Sequence, residues 1–142
     1  MVRRQIEVPV SPARLWELVA DPASVSSWFG AAVDWDLVPG APARFAGGED
    51  GDRAGRIETV VPGRHLRFRW WPEDDAEACS EVALVVEPVG EGARLTVTER
   101  PVGTGGAAVP EAEACAGAWS TWDSRFAGAW CRLALVDAPV LR

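Results

Sequence analysis

From residue 32 to about residue 100 the chain is a series of short segments in which apolar and polar residues alternate, each closed by a turn carrying Pro, Gly or acidic residues. Period two is the repeat of a half-buried strand, because successive side chains on an extended backbone leave on opposite faces. The clearest case is RHLRFRWW (64–71), where Leu66, Phe68 and Trp70 take one side and His65, Arg67, Arg69 and Trp71 the other. Val33, Trp35 and Leu37 alternate with Asp34 and Asp36 in AVDWDLV (32–38). PGAPARFA (39–46) supplies a turn and a short strand carrying Phe45, and GRIETVVPG (55–63) supplies another strand. Val82, Leu84 and Val86 share one side of SEVALVVEP (80–88), as Leu95 and Val97 do with Glu99 in ARLTVTER (93–100). The links are Pro62-Gly63, the acidic GGEDGD (47–52) and EDDAEA (73–78), and VGEGA (89–93). Short turns of this kind join antiparallel neighbours, so the segments read as one antiparallel sheet whose apolar face has to be covered.

The cover comes from the flanking segments. RRQIEVPV (3–10) reads as a first strand. SPARLWELVAD (11–21) opens a helix with Ser11 as cap and Pro12 in the first turn, and DPASVSSWFG (21–30) repeats that start with Asp21 and Pro22 and stops at Gly30. After the sheet, a Gly-rich stretch (102–111) leads to GAWSTWDSRFAGAWCRLAL (117–135). Advanced at about 100° per residue, Cys115, Trp119, Trp122, Phe126, Trp130 and Leu133 gather within roughly 80° of arc. The expected plan is α+β: one domain over residues 1–142, with strand, two short helices, about six further strands and a long C-terminal helix lying on the sheet.

Composition narrows the partners. The 142 residues carry a net charge of −7, which argues against nucleic acid and against an anionic membrane surface. All 14 basic residues are Arg, as in a GC-rich bacterial coding sequence, and the absence of Lys excludes Schiff-base chemistry. Cys79, Cys115 and Cys131 form no CxxC pair, and His65 is the single imidazole, facing outward by parity. A metal site is therefore not expected, nor is a cofactor. No apolar run reaches the length of a membrane span and no secretory h-region opens the chain, so a cytoplasmic location is expected, and a homodimer is compatible with the sequence.

A curved sheet wrapped on one helix cannot close tightly at both ends, which leaves room for a ligand cavity. Its expected wall is aromatic: Trp28, Trp35, Phe45, Phe68, Trp70, Trp119, Trp122 and Phe126. Such positions serve as core and as cavity wall together, with Trp119 and Trp122 best placed to stack on a guest. Glu99 faces inward by parity and Asp123 lies at the edge of the aromatic arc, so the two are candidate catalytic carboxylates. Arg44 is a candidate for orienting a polar ligand end. Nothing resembles a nucleophile elbow or a phosphate loop.

The order of elements, with SPARLWELVADP and WFG, DLVPGAPARF, VVPGRHLRFRWW, SEVALVVEPVGEGARLTVTE and the Trp of GAW on the last helix, resembles the START-like helix-grip (SRPBCC) superfamily. The likeness spans nearly the whole chain and is closest to the group named after the activator of heat-shock protein 90 ATPase. It implies a helix-grip fold and a cavity used for small hydrophobic molecules, aromatic or polyketide-like, whether for carriage, sensing or sequestration, including antibiotic self-resistance. A cyclase or dehydratase using the same cavity is the alternative, and a chaperone-interaction module a second one. By alignment with the group, Asp123 replaces a usually aliphatic residue, and Glu99 stands where relatives often carry His.

Overall fold

Ser11 and Asp21 each end one segment and start a helix. In the computed structural model, which describes residues 2–48 and 51–102, strand β1 (Val2–Val8) leads to helix α1 (Pro12–Ala20). The Ser11 hydroxyl accepts the Arg14 N–H at 3.1 Å and caps α1. Asp21 both stops α1 and caps helix α2 (Pro22–Phe29), its carboxylate accepting the Ser24 N–H at 3.0 Å. Helix α2 then ends on Gly30 at φ +88°, a left-handed position that glycine occupies without steric cost.

Six strands follow: β2 (Ala32–Trp35), β3 (Pro42–Gly48), β4 (Gly51–Val61), β5 (His65–Pro72), β6 (Ser80–Val89) and β7 (Gly92–Pro101). They build a seven-stranded, wholly antiparallel sheet in the order β1-β7-β6-β5-β4-β3-β2. The first strand pairs with the last, so β1 and β2 form the two edges among the described residues. Register slips between Phe45 and Gly48 in β3, and between Ile57 and Thr59 in β4. Bulges of this kind bend their strands and raise the local twist, which gives the open sheet its curve. A curved antiparallel sheet with two short helices after its first strand is the helix-grip arrangement that the sequence predicts. The C-terminal helix of that expectation lies outside the described residues.

One face of the sheet is apolar and buried. Ala43, Phe45, Ile57, Leu66, Phe68, Trp70, Val82, Leu84, Val86, Leu95 and Val97 line it, and α1 and α2 add Leu15, Leu18, Val19, Val25, Trp28 and Phe29. Parity therefore assigned the faces of β5, β6 and β7 correctly. Two boundaries differ from expectation. Strand β2 stops at Trp35 rather than running to Val38, because Val38 N–H turns back to the Asp36 carbonyl (2.8 Å) and Gly40, at φ +89°, donates to Ile57 O (2.7 Å). Strand β1 stops at Val8, just before Pro9, which has no N–H to give a ladder, although Val10 is still buried.

Gly55 marks the tightest point of the apolar face. It pairs with Ala43 on one side and Trp70 on the other. A Cβ placed there would stand 2.5 Å from the Arg69 carbonyl oxygen and 3.3 Å from both Phe45 Cε1 and Trp70 Cβ. Backbone cannot yield as a flexible side chain can, so Gly55→Ala should cost about 1–3 kcal/mol of unfolding free energy. Urea titration followed by circular dichroism measures it, and a variant as stable as the parent would show that the strand shifts freely.

Candidate functional site

The site grows from the aromatic residues of the apolar face. Phe45 on β3 is its centre: its ring stacks on Phe68 (5.4 Å) and Phe29 (5.7 Å) and meets Trp70 (5.1 Å) and Trp35 (5.9 Å) edge-on. Trp28 joins through Phe29 at 5.8 Å. Offset and edge-on geometries of this kind suit the ring quadrupoles and add about 0.5–1.5 kcal/mol per pair beyond burial. The expected wall residues Trp28, Trp35, Phe45, Phe68 and Trp70 are thus brought together as one continuous cluster, each at most 5% exposed. Trp119, Trp122, Phe126 and Asp123 lie outside the described residues.

A buried indole needs an acceptor for its N–H, and each Trp of the cluster has one. Trp28 Nε1 donates to Leu18 O at 2.9 Å and Trp35 Nε1 to Ala20 O at 2.8 Å. Both acceptors are carbonyls of the last turn of α1, which have no partner inside the helix. Trp70 Nε1 donates instead to Glu99 Oε2 at 2.8 Å. Glu99 is 6% exposed, on the same face as Leu95 and Val97, as its parity predicts. The carboxylate is held by an indole from β5, two strands away in the sheet.

The ring of Trp70 also carries a cation. The Arg53 guanidinium carbon lies 4.4 Å from the centroid of the Trp70 ring. Arg53 pairs with Phe45 across β3 and shares the parity of Gly55 and Ile57, so it belongs to the apolar face. Sequence reasoning missed this residue. The signal is available in that parity, but the preceding acidic GGEDGD (47–52) has the composition of a link between strands.

Arg44 corrects an expectation. It sits on the face of β3 opposite Phe45, exposed and paired with Glu73 at 3.5 Å, so it cannot orient a ligand on the aromatic side. With Asp34, Trp35, Asp36, Pro42 and Ala43 it lines a separate open cleft of 270 Å³ at the β2 edge. The outer face of the sheet is charged and internally matched. Arg69 meets Glu58 (2.6 Å), Glu81 is shared by Arg67 (3.7 Å) and Arg100 (3.0 Å), and Arg94 bridges Glu7 (3.2 Å) and Glu87 (3.3 Å). Bonding to Glu7 keeps Arg94 above its ordinary range. Burial pushes the Cys79 thiol up, opposed by Arg69 and reinforced by Glu58 and Glu81, so it is a protonated, poor nucleophile at neutral pH. Trp71, opposite Trp70 by parity, is half-buried, as is outward-facing His65. Among the described residues no group of three or more His, Cys, Asp or Glu gathers in a way that could hold a metal, and no helix is long and apolar enough to cross a membrane.

With this geometry in place, comparison with known proteins is informative. The family model described as activator of Hsp90 ATPase homolog 1-like protein matches residues 9–129. Among solved structures, protein MLL2253 from Mesorhizobium loti superposes with a TM-score of 0.78 at 19% identity, over 99% of this chain and 98% of its own. DynU16, from the dynemicin biosynthetic locus, gives 0.72 at 24% identity over 89% of this chain but 44% of its own length. The Aha1 dimer from Colwellia psychrerythraea gives 0.72 at 13% identity, covering 94% and 96%. At these identities the likeness is one of fold. No curated protein sequence matches significantly.

None of these likenesses bears on the Trp70–Glu99 bond, which can be tested directly. Trp70→Phe keeps an aromatic ring but removes the N–H, withdrawing one donor from a buried carboxylate. The expected loss is about 1–3 kcal/mol of stability. Chemical denaturation of the variant checks it, and an unchanged midpoint would mean that water or another donor replaces the indole without cost.

Proposed function

We propose that this chain, which belongs to the activator of Hsp90 ATPase homolog 1-like family, is a single helix-grip domain that binds a small apolar, aromatic-rich molecule between the sheet and its C-terminal segment. The observation that carries this reading is the continuous cluster of Phe45, Phe68, Trp70, Trp35, Phe29 and Trp28, which ends in a polar set formed by Glu99 and Arg53. A face of flat rings provides stacking area, and a few polar groups at its end fix orientation, which is the usual division of labour in a small-molecule site. Trp119, Trp122 and Phe126 complete the wall in this proposal. Each square ångström of ligand surface buried there would contribute about 25 cal/mol.

The surroundings support carriage or sequestration more than chaperone work. The large apolar side chains exposed among the described residues are Val38, after β2, and Val61 and Val85, which flank His65 in the register, too few for the patch a protein partner would need. The fold is shared with DynU16 of a biosynthetic locus, which is consistent with a small-molecule role. A cytoplasmic location is part of the proposal. Glu99 favours a second reading, in which the same site promotes cyclisation or dehydration. A carboxylate on an aromatic face, with Asp123 as its partner, would divide the base and acid roles.

Native mass spectrometry after incubation with a small-molecule extract of the source organism separates these readings. A compound retained with unchanged mass is expected. A compound that loses water only in the presence of protein moves the assignment to catalysis, and retention of nothing overturns the binding reading. Trp119→Ala should weaken capture while leaving the melting temperature nearly intact. A loss of about 3–5 kcal/mol instead would identify that side chain as core packing.

A further inference from the structure

Resting on the apolar-ligand reading above, we propose that Arg53 is a receptor for a carboxylate, so that the ligand class is an aromatic or otherwise apolar carboxylic acid. The guanidinium carbon lies 4.4 Å from the centroid of the Trp70 ring. A guanidinium carries paired N–H donors that match the two oxygens of a carboxylate. The Arg53 Nε is buried without a hydrogen-bond partner, and Arg53 makes no ion pair among the described residues. Arg67 and Arg94 also bury an unpartnered Nε, but both spend their terminal nitrogens on glutamates of the outer face. Arg53 differs because it stands on the apolar face, opposite Phe45 in the register.

A cation kept on that face with an idle donor is costly unless something pairs with it. The neighbouring Asp52 is not that partner, since its Oδ1 accepts the Gly47 N–H at 2.8 Å. A carboxylate on an apolar, aromatic body fits a cation that stands beside an aromatic cluster.

The test is isothermal titration calorimetry of the full chain with naphthoic acid and with its neutral counterpart, naphthamide. The parent protein should prefer the acid by about tenfold or more, the scale of one charge-assisted hydrogen bond. That preference should shrink as salt is raised. Arg53→Met should abolish the preference, the acid losing far more affinity than naphthamide, and Arg53→Lys, which keeps the charge but not the planar fork, should retain only part of it. Thermal melts of both variants establish that they are folded, and the parent comparison of acid with amide stands even if neither variant folds. Equal binding of acid and amide by the parent, or an undiminished preference in folded Arg53→Met, overturns the role of Arg53 alone. Binding of neither compound overturns the carboxylate receptor, and the wider apolar-ligand reading then falls or stands on the extract experiment.

Discussion

An indole can be buried only if its N–H finds an acceptor, and that requirement fixes how the described parts of this protein fit together. Trp28 and Trp35 come from different elements, α2 and β2, yet both donate to the end of α1. The carbonyls they reach are those that a helix leaves unpaired, so two problems of burial cancel. The result ties α1, α2 and the β2 edge into one corner over Phe45 and Phe68. Trp70 lies next to that corner and has no helix end to use. Its acceptor is the Glu99 carboxylate, and this bond couples β5 to β7 across the apolar face.

Charge is distributed between the two faces by the same logic. On the outer face Arg and Glu alternate with the strands and meet in exposed or half-exposed pairs, which contribute little each to stability but keep the sheet soluble. On the inner face Arg53 and Glu99 are not paired with one another in this way. Trp70 stands with both, offering a ring face to the cation and an N–H to the carboxylate. A cation against the π face withdraws electron density from the indole and strengthens its N–H as a donor, so the two contacts reinforce each other.

How much of this was legible in the sequence depended on the range of the interaction. The faces of β5, β6 and β7 followed from period two alone, because a half-buried strand leaves no choice about which side is apolar. The caps at Ser11 and Asp21 were equally local. The end of β2 was not: Leu37 and Val38 continue the alternation, and only the hydrogen bond from Gly40 to Ile57, on another strand, turns the chain away. Glu99 was legible as an inward residue, but its partner was not, since 29 residues and the sheet register separate it from Trp70. Arg53 failed for a related reason. An acidic Gly-rich stretch looks like a loop until pairing with β3 shows that the strand already starts at Gly51. The aromatic candidates on the C-terminal segment rest on helical periodicity alone.

The aromatic cluster could be dismissed as ordinary core if it ended in aliphatic residues. It does not. An apolar core has no need of an arginine beside it, and the buried Nε of Arg53 has no hydrogen-bond partner among the described residues. Nor does packing require an acidic residue at the position of Glu99, where Leu would fill the same face without needing an indole to hold it. Natural cores keep local departures of this kind mainly where function requires them. Two occur here against one tryptophan, Arg53 over its ring and Glu99 at its N–H. On that placement rests the proposal that the cluster meets a guest with a polar end.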